Sequence, residues 1–271
     1  METGTGTNGR NQGKRRIAII VQYDGRRFNG FQVQDSGRTV QGELEKALKI
    51  LLREDIRITA SGRTDTGVHA LGQVAHFDTS SSVSLKRLLI GMNGILGKDV
   101  ALKNAYYVDN DFHARFSAVS REYIYLIHNH QQRSPFMMYR AMWIRDQLDI
   151  DYRNRVASYL VGEHDFASFC KAQSQNGSTT RFVEKAEFTA SDSLVVFTIR
   201  GNAFLHNMIR IIIGTIVEMN VKMQPEENIK NVLAQKNRIH GGITAPPYGL
   251  YLNSIIYTPG LDEMNIELEK Y

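Results

Sequence analysis

The chain has 271 residues, of which 42% are hydrophobic and 23% are charged. This composition is typical of a soluble globular protein and excludes an extensively disordered, collagen-like or coiled-coil chain. The length allows one large domain or two smaller ones, each able to bury a core. The single cysteine, Cys170, excludes an internal disulfide and a cysteine-based zinc site.

The net charge of +5 is a weak indication of an anionic partner, because residues 1–16 carry +3 of it. That segment is polar throughout, so we expect no signal peptide. The longest apolar stretches, such as 209–217, are too short to span a bilayer. We therefore expect a cytoplasmic protein that is not bound to a membrane, with residues 1–15 forming a disordered basic tail.

The first half of the chain alternates between strand and helix patterns. The branched apolar run 17–23 predicts a buried strand. Thr39 is a plausible N-cap for an amphipathic helix over 40–53, where apolar residues recur at helical spacing. The following segments predict a strand, a strand, a helix and a strand, over 56–60, 73–78, 85–96 and 100–108. This order, β-α-β-β-α-β, is that of a ferredoxin-like unit.

The second half repeats this order loosely. The predicted strands are 121–127, 141–145, 182–190, 194–200 and 250–257, and the predicted helices are 152–161, 203–220 and 227–235. We therefore predict an α+β fold of two ferredoxin-like halves with mostly antiparallel sheets. The domains would be 16–110 and 111–271, joined by a linker around 109–117. A cleft between two such domains is the expected place for an active site.

Segment 61–70, SGRTDTGVHA, carries the clearest chemical signal. In extended backbone, Arg63 and Asp65 lie on one face, where the arginine orients the carboxylate and keeps it ionised. Such a carboxylate suits a nucleophile or a base. The same spacing also fits a surface turn with an ordinary ion pair. A phosphate-binding loop is excluded, because Val68 and His69 stand where that motif needs Lys and Ser/Thr.

This segment resembles GRTDAGVHA, the catalytic motif of the TruA family of tRNA pseudouridine synthases. Thr66 replaces the usual alanine, a change that we expect to be tolerated. Further motifs of that family occur in the same order over about 17–258, namely YDG at 23–25, GFQ at 30–32, TVQGELE at 39–45, GQVAHF at 72–77, FHARFSA at 112–118, REY at 121–123, FLHNMIR at 204–210, GT at 214–215 and TAPPYGLYL at 244–252. By this ordered set the chain is identified as a member of the family.

The resemblance implies an isomerase that converts uridine to pseudouridine at positions 38, 39 and 40 of the tRNA anticodon stem-loop. In this reaction the C1′–N1 bond breaks, the uracil turns, and C5 bonds to C1′. The family uses no metal and no organic cofactor. The resemblance also implies a homodimer in which one tRNA touches both subunits.

The resemblance assigns the catalytic roles to three residues. Asp65 either attacks C1′ or takes a proton from C2′, and both routes remain open. Arg63 pairs with Asp65 and inserts into the RNA when the base leaves the stack, a step that costs a few kcal/mol. Tyr123 stacks on the flipped uracil and is a candidate proton relay, although its strand pattern fits a core tyrosine equally well.

The remaining candidates are substrate-binding residues. Leu250 matches the apolar residue that packs the family's pocket and also fits a core position. Arg210 lies in an apolar run, where a charge needs a partner; the resemblance places it in the cleft, and an ion pair with Glu218 is the alternative. The other candidates, most of which fit a solvated surface equally well, are Thr64, His69, His206, Arg26, Arg27, Lys171 and Arg181.

Two other functions compete with this interpretation. A non-catalytic tRNA-binding or folding protein on the same scaffold would not require Arg63, Asp65 and Tyr123 together. A glycoside hydrolase usually needs two opposed carboxylates, and only Asp65 has a convincing setting in this sequence.

Overall fold

The structure is a computed structural model that describes residues 13–171, 177–222 and 224–265. Most of the predicted tail, 1–15, lies outside these residues. The elements are, in chain order, β1 (Arg15–Tyr23), α1 (Val40–Leu52), β2 (Thr59–Ala60), β3 (His69–Thr79), α2 (Leu85–Ile95), β4 (Val100–Val108), β5 (Ala118–Asn129), β6 (Met142–Ile144), α3 (Ile150–Ser158), β7 (Gly162–Asp165), β8 (Thr180–Ser191), β9 (Leu194–Gly201), α4 (Met208–Val221), α5 (Asn228–Gln235), β10 (Leu250–Tyr257) and α6 (Leu261–Met264).

Most predicted elements are confirmed to within a few residues, and the strand over 100–108 is confirmed at both ends. The prediction for the start of the long helix is wrong. The apolar run predicts a start at 203, whereas α4 begins at Met208. The reason is that Asn207 has a left-handed φ of 63°, which a continuing helix cannot contain. The pattern also missed two short elements, β7 and α6.

Helix α1 shows how local sequence sets an element. Its N-cap, Thr39, accepts a hydrogen bond from the Gly42 N–H at 3.2 Å, as its residue type predicts. Leu44 and Leu48, four residues apart, are fully buried, whereas Ile50 on the other face is 65% exposed.

Among the described residues, no helix combines the length and hydropathy that a bilayer crossing requires.

All ten strands belong to one sheet, with the order β4-β1-β3-β10-β5-β9-β8-β7, while β2 pairs with β3 and β6 with β5. Strands β3 and β10 pair in parallel through Tyr251 with His69 and Leu252 with Ala70, and β5 and β6 are also parallel. The other pairs are antiparallel. An α+β fold with a mostly antiparallel sheet is therefore confirmed, although the strands of both halves share one continuous sheet.

The helices form two groups, α1 with α2 and α3 with α4 and α5, and both groups cover the same face of this sheet. Leu252 packs in the core beneath α1 and α2, and Leu250 packs in the core beneath α3, α4 and α5. Residues two apart in a strand point to one face, so both cores lie on that face. Tyr123 on β5 packs against both cores and marks the floor of the gap between the helix groups.

On the opposite face, the segment between β4 and β5 is bound to the sheet. Arg16 forms a two-pronged ion pair with Asp78, at 2.7 and 2.9 Å, and donates a further hydrogen bond to the Phe112 carbonyl at 2.9 Å. The Ala114 N–H donates to Nδ1 of His76 at 3.1 Å. The predicted linker is thus an ordered part of the fold.

We predict that His76 makes folding stability depend on pH between about 6.5 and about 4. Burial, and then the charges of Arg16 and His113, lower the pKa of His76 from 6.5 to about 4. The folded state therefore disfavours the charged imidazole. The folding stability that neutral His76 contributes is fully present above pH 6.5 and is lost as the pH falls through this window.

Urea unfolding at about pH 7 and about pH 4.5 tests this, because the His76→Gln variant should lose less stability than the wild type on acidification. His240→Gln, at an exposed histidine, is the control and should behave like the wild type. Equal losses in the wild type and His76→Gln would contradict the prediction.

Candidate active site

The loop between β2 and β3 carries the predicted catalytic segment, and buried polar contacts hold it in place. The hydroxyls of Tyr23 and Thr64 are 2.8 Å apart. The Ser61 hydroxyl donates to Oε1 of Gln73 at 2.6 Å, and Nε2 of Gln73 donates to the Gly62 carbonyl at 3.0 Å. A buried polar group left without its partner costs about 1–3 kcal/mol. These contacts therefore strongly favour one path for the loop.

Two glycines allow the loop to take this path. Gly67 has a φ of 79° and Gly30 a φ of 81°, both in the left-handed region. A Cβ at Gly30 would lie 2.8 Å from the Thr64 carbonyl oxygen, which also accepts a hydrogen bond from the Phe31 N–H at 3.1 Å. The chain that follows β1 thus packs directly against the loop.

The Asp65 carboxylate contacts one residue just before α4 and one in its first turn. Nε2 of His206 lies 3.3 Å from its Oδ1, and Nη1 of Arg210 lies 3.5 Å from its Oδ2. Arg63 is exposed and forms no ion pair with Asp65 in the described part of the chain. The predicted Arg63–Asp65 pair is therefore wrong, because the loop is not a strand and residues two apart need not share a face. The alternative pairing of Arg210 with Glu218 is also wrong.

Three contacts fix the Arg210 guanidinium. Its Nε donates to the Ala245 carbonyl at 2.7 Å, its Nη1 donates to Oδ1 of Asn207 at 2.8 Å, and the same Nη1 faces Asp65. Burial lowers the pKa of Arg210, and the negative charge of Asp65 offsets only part of this effect, so the pKa lies below its usual value. Because arginine stays charged even so, the carboxylate faces a permanent positive charge of fixed orientation.

A cavity of about 830 Å³ opens between the two helix groups, a volume within the usual range for ligand sites. Its lining includes Asp65, Arg63, Tyr123, Phe204, His206 and Leu250. A separate depression of about 900 Å³, near β6 and the start of α3, shares none of these residues. No group of three or more His, Cys, Asp or Glu side chains is placed to hold a metal ion within the described residues.

Tyr123 and Leu250 form part of the cavity wall. The Tyr123 ring meets the Phe204 ring edge-on, with centroids 5.3 Å apart. Burial, and then the charge of Asp65, raise the pKa of Tyr123, so its phenol is neutral at physiological pH. Leu250 is 6% exposed and packs in the core beneath α3 to α5 while it lines the cavity. The core and pocket interpretations of Leu250 therefore both hold.

His69 does not face the cavity. It begins β3, is 3% exposed, and stacks on Tyr251 with ring centroids 4.5 Å apart. Its Nδ1 accepts a hydrogen bond from the Gly25 N–H at 3.1 Å, and burial lowers its pKa. The expected contact of His69 with RNA is wrong, because the parallel strand β10 covers it. Thr64 is also buried, and its hydroxyl contacts Tyr23.

The other predicted RNA-binding residues lie outside the cavity lining. Arg27 and Lys171 are exposed. Arg26 is exposed and pairs with both carboxylate oxygens of Asp24, the shorter contact being 2.5 Å. Arg181 is partly buried and donates to the carbonyls of Ser178 and Thr180, at 2.8 and 2.6 Å. Burial lowers the pKa of Arg181.

Sequence reasoning missed two residues that support the site. Gln73 shares the inward face of β3 with Phe77, and an amide on an apolar face is a signal for a buried hydrogen bond. Arg121 donates to the Asn202 carbonyl at 2.7 Å and to the Ser61 carbonyl at 3.5 Å, which connects β5 with the loop between β2 and β3 and with the end of β9. No spacing in the sequence predicts these carbonyl partners.

Comparison with known proteins places the chain among its relatives. The sequence model of the tRNA pseudouridine synthase family matches residues 19–117 and 156–258. The tRNA pseudouridine synthase A of Brachyspira hyodysenteriae is 41% identical over 243 residues, which cover 89% of this chain and 98% of that protein. The protein of the same name from Halalkalibacterium halodurans is 42% identical over 252 residues, covering 93% and 96%. That from Bacillus subtilis is 41% identical over 245 residues, covering 89% and 99%.

One solved structure that resembles the chain is a more distant match. The archaeal box H/ACA sRNP Nop10–Cbf5 complex contains a chain that is 14% identical, with a TM-score of 0.34, covering 74% of this chain and 43% of that one. A likeness this weak supports no conclusion about the chain. The family match and the sequence relatives do identify its family, because they extend along most of the chain, the relatives at about 40% identity. This chain belongs to the tRNA pseudouridine synthase family.

Proposed function

We propose that the chain is an isomerase that converts uridine to pseudouridine at positions 38, 39 and 40 of the tRNA anticodon stem-loop. One observation carries this proposal: the Asp65 carboxylate lies in the wall of an open cavity, between Arg210 and His206. The reaction needs one oriented carboxylate near C1′ and space for the freed base. The names of the curated relatives support the same substrate and reaction.

Asp65 is the residue to which we assign the central step. The reaction breaks the C1′–N1 bond and forms C5–C1′, while C5 loses one proton and N1 gains one, so that the atoms balance without an oxidant or water. The Arg210 guanidinium, with Nη1 3.5 Å from Oδ2, helps to hold the carboxylate in one orientation. A carboxylate oxygen suits either attack on C1′ or removal of a proton from C2′, and we leave both routes open.

The uracil, in this proposal, lies against Tyr123 and Leu250. Tyr123 offers an aromatic ring for stacking and a neutral phenol that can donate a hydrogen bond. Its raised pKa makes it a poor base on its own. Arg63 lines the cavity with an exposed side chain, and in this proposal it meets the RNA when the base leaves its stack.

For the wider RNA surface we propose phosphate contacts by Arg27 and Lys171, whose side chains are exposed. Arg26 and Arg181 would contribute only by exchanging the protein contacts they make in this structure. Such contacts read the shape of the folded RNA rather than its sequence. A cytoplasmic location, where such an enzyme would meet tRNA, also stays a prediction.

We also propose that the chain consists of two ferredoxin-like halves with domains 16–110 and 111–271. In support, β1-α1-β2-β3-α2-β4 has the strand order β4-β1-β3-β2. The elements β5-α3-β8-β9-α4-β10 have the matching order β10-β5-β9-β8. The cavity lies where the two units meet, at the parallel pair of β3 and β10.

We propose further that the protein is a homodimer. In support, the loop between β5 and β6, and β6 itself, expose several large apolar side chains: Phe136 (86% exposed), Met138 (47%), Tyr139 (55%) and Trp143 (45%). Clustered exposed apolar residues are typical of protein interfaces. The Tyr139 ring meets Tyr248 edge-on at 5.8 Å, so this surface adjoins the segment that leads into β10 and the cavity.

We predict that Asp65→Asn abolishes pseudouridine formation and leaves tRNA affinity nearly unchanged, because it removes the reactive charge and keeps the side-chain shape. Tritium release from C5-labelled uridine, in tRNA lacking anticodon-arm pseudouridines, measures turnover, and mapping of the product identifies positions 38–40. Near-normal turnover by the variant would contradict the role of Asp65. A wild type that binds tRNA without releasing tritium would instead support the non-catalytic alternative.

We predict that Arg210→Lys and Arg63→Lys affect different kinetic parameters. Lysine cannot keep the contacts of Arg210 with Ala245, Asn207 and Asp65 together, so kcat should fall by about 10-fold or more. Arg63 does not hold Asp65, so its variant should raise KM and leave kcat largely intact. Single-turnover and steady-state assays separate the two effects. The opposite result, with kcat lost only in Arg63→Lys, would restore Arg63 as the partner of Asp65.

We predict that the protein sediments as a dimer and that Phe136→Ser combined with Trp143→Ser shifts it toward monomer. Ile90→Ser is the matched control, since Ile90 is 66% exposed on α2, away from this surface. Sedimentation velocity over a range of concentrations measures the change. A monomeric wild type, or a dimer that the double variant does not weaken, would contradict the proposal.

A further inference from the structure

A row of aromatic rings runs from the interior of the fold to the rim of the cavity. It begins at Phe112, which is 4% exposed and lies 6.0 Å from the ring of His76. His76 contacts His113 at 4.9 Å, and His113 contacts Phe116 at 4.4 Å with an angle of 34° between the ring planes. Phe116 is 76% exposed. The row therefore ends in a large apolar ring that is presented to solvent.

The backbone around Phe116 holds the ring in this exposed position. Nδ1 of His113 accepts hydrogen bonds from the N–H groups of Arg115 and Phe116, at 3.2 and 3.3 Å. The His113 N–H donates to the Ser117 hydroxyl at 2.9 Å, and the Ser117 N–H donates to the His113 carbonyl at 2.9 Å. The exposure of Phe116 is thus a feature of a hydrogen-bonded turn.

The exposed ring belongs to the same cavity as Asp65. His113, Arg115 and Phe116 all line that cavity. The Arg115 guanidinium lies 5.6 Å from the centre of the Phe116 ring, and its backbone carbonyl accepts a hydrogen bond from Arg121 at 2.5 Å. An aromatic face and a positive charge are therefore held side by side at the cavity rim.

The charge of the lining favours nucleic acid as the occupant. Three arginines, Arg63, Arg115 and Arg121, face a single acidic residue, Asp65, among the described residues that line the cavity. Nucleic acids offer flat bases for the ring and phosphates for the guanidinium groups, and proteins that bind single strands combine these same two features. An apolar protein partner would match the ring but not the charges.

We propose that Phe116, supported by His113 and flanked by Arg115, is a stacking platform for an unpaired base next to the target uridine. The inference rests on the proposed function, since extrusion of one nucleotide leaves its neighbours without a stacking partner. The platform would replace part of that lost stacking. It comes from the turn that precedes β5, whereas the other lining residues Tyr123 and Leu250 come from β5 itself and from β10.

Variants of Phe116 separate stacking from simple apolar contact. The probe is an anticodon stem-loop transcript with 2-aminopurine beside the target uridine, because stacking quenches the fluorescence of this base. We expect Phe116→Ala to weaken RNA binding about 10-fold, which is in the range known for loss of one base–aromatic stack. The same variant should restore the fluorescence of 2-aminopurine. Phe116→Leu should do the same, since leucine lacks a flat face, and Phe116→Trp should retain binding and quenching. Thermal unfolding should be unchanged, because the ring is exposed.

Ile90→Ala serves as the control for loss of an exposed apolar side chain outside the cavity. Binding and quenching by Phe116→Ala or Phe116→Leu equal to wild type would overturn the platform. If, in addition, the wild type forms pseudouridine, the proposed function stands without it. A change in sedimentation of Phe116→Ala with unchanged RNA affinity would also overturn it and assign the ring to a second copy of the chain. Absence of product from the wild type would instead count against the proposed function, whatever the variants bind.

Discussion

The ion pair between Asp65 and Arg210 is the contact on which the rest of the site depends. The carboxylate comes from the loop between β2 and β3, and the guanidinium comes from α4 in the other half of the chain. Each partner is held independently, Asp65 by a loop fixed through Tyr23 and Gln73, and Arg210 by Asn207 and the carbonyl of Ala245. The protein alone therefore holds the Asp65 carboxylate in one orientation.

The continuous sheet keeps the two partners at this distance. Strands β3 and β10 pair in parallel immediately after the loop that carries Asp65, so this loop is anchored to a strand of the C-terminal half. Tyr123 packs against both hydrophobic cores and so lies at the boundary between them. Because both groups of helices lie on the same face of the sheet, the gap between them becomes the cavity, with side chains of β5 and β10 as its floor.

Charge in this protein acts through its placement. The net charge of +5 is small, and more than half of it belongs to residues 1–16. The Arg26 side chain forms an ion pair with Asp24, and the Arg181 side chain donates hydrogen bonds to backbone carbonyls. The arginines that line the cavity outnumber its acidic residues, which creates a local positive region that the overall charge does not reveal.

From the amino-acid sequence one can predict the strands and helices of most of the chain, the family, and Asp65 as the central candidate. These follow from periodicity and from motifs that are read within a few neighbouring residues, as in α1 and the strand over 100–108. The sequence does not reveal that Asp65 contacts Arg210 and His206 instead of Arg63, or that β10 covers His69; the folded chain does. This is because a side chain's partner depends on which distant segments the sheet brings together, and local spacing does not contain that information.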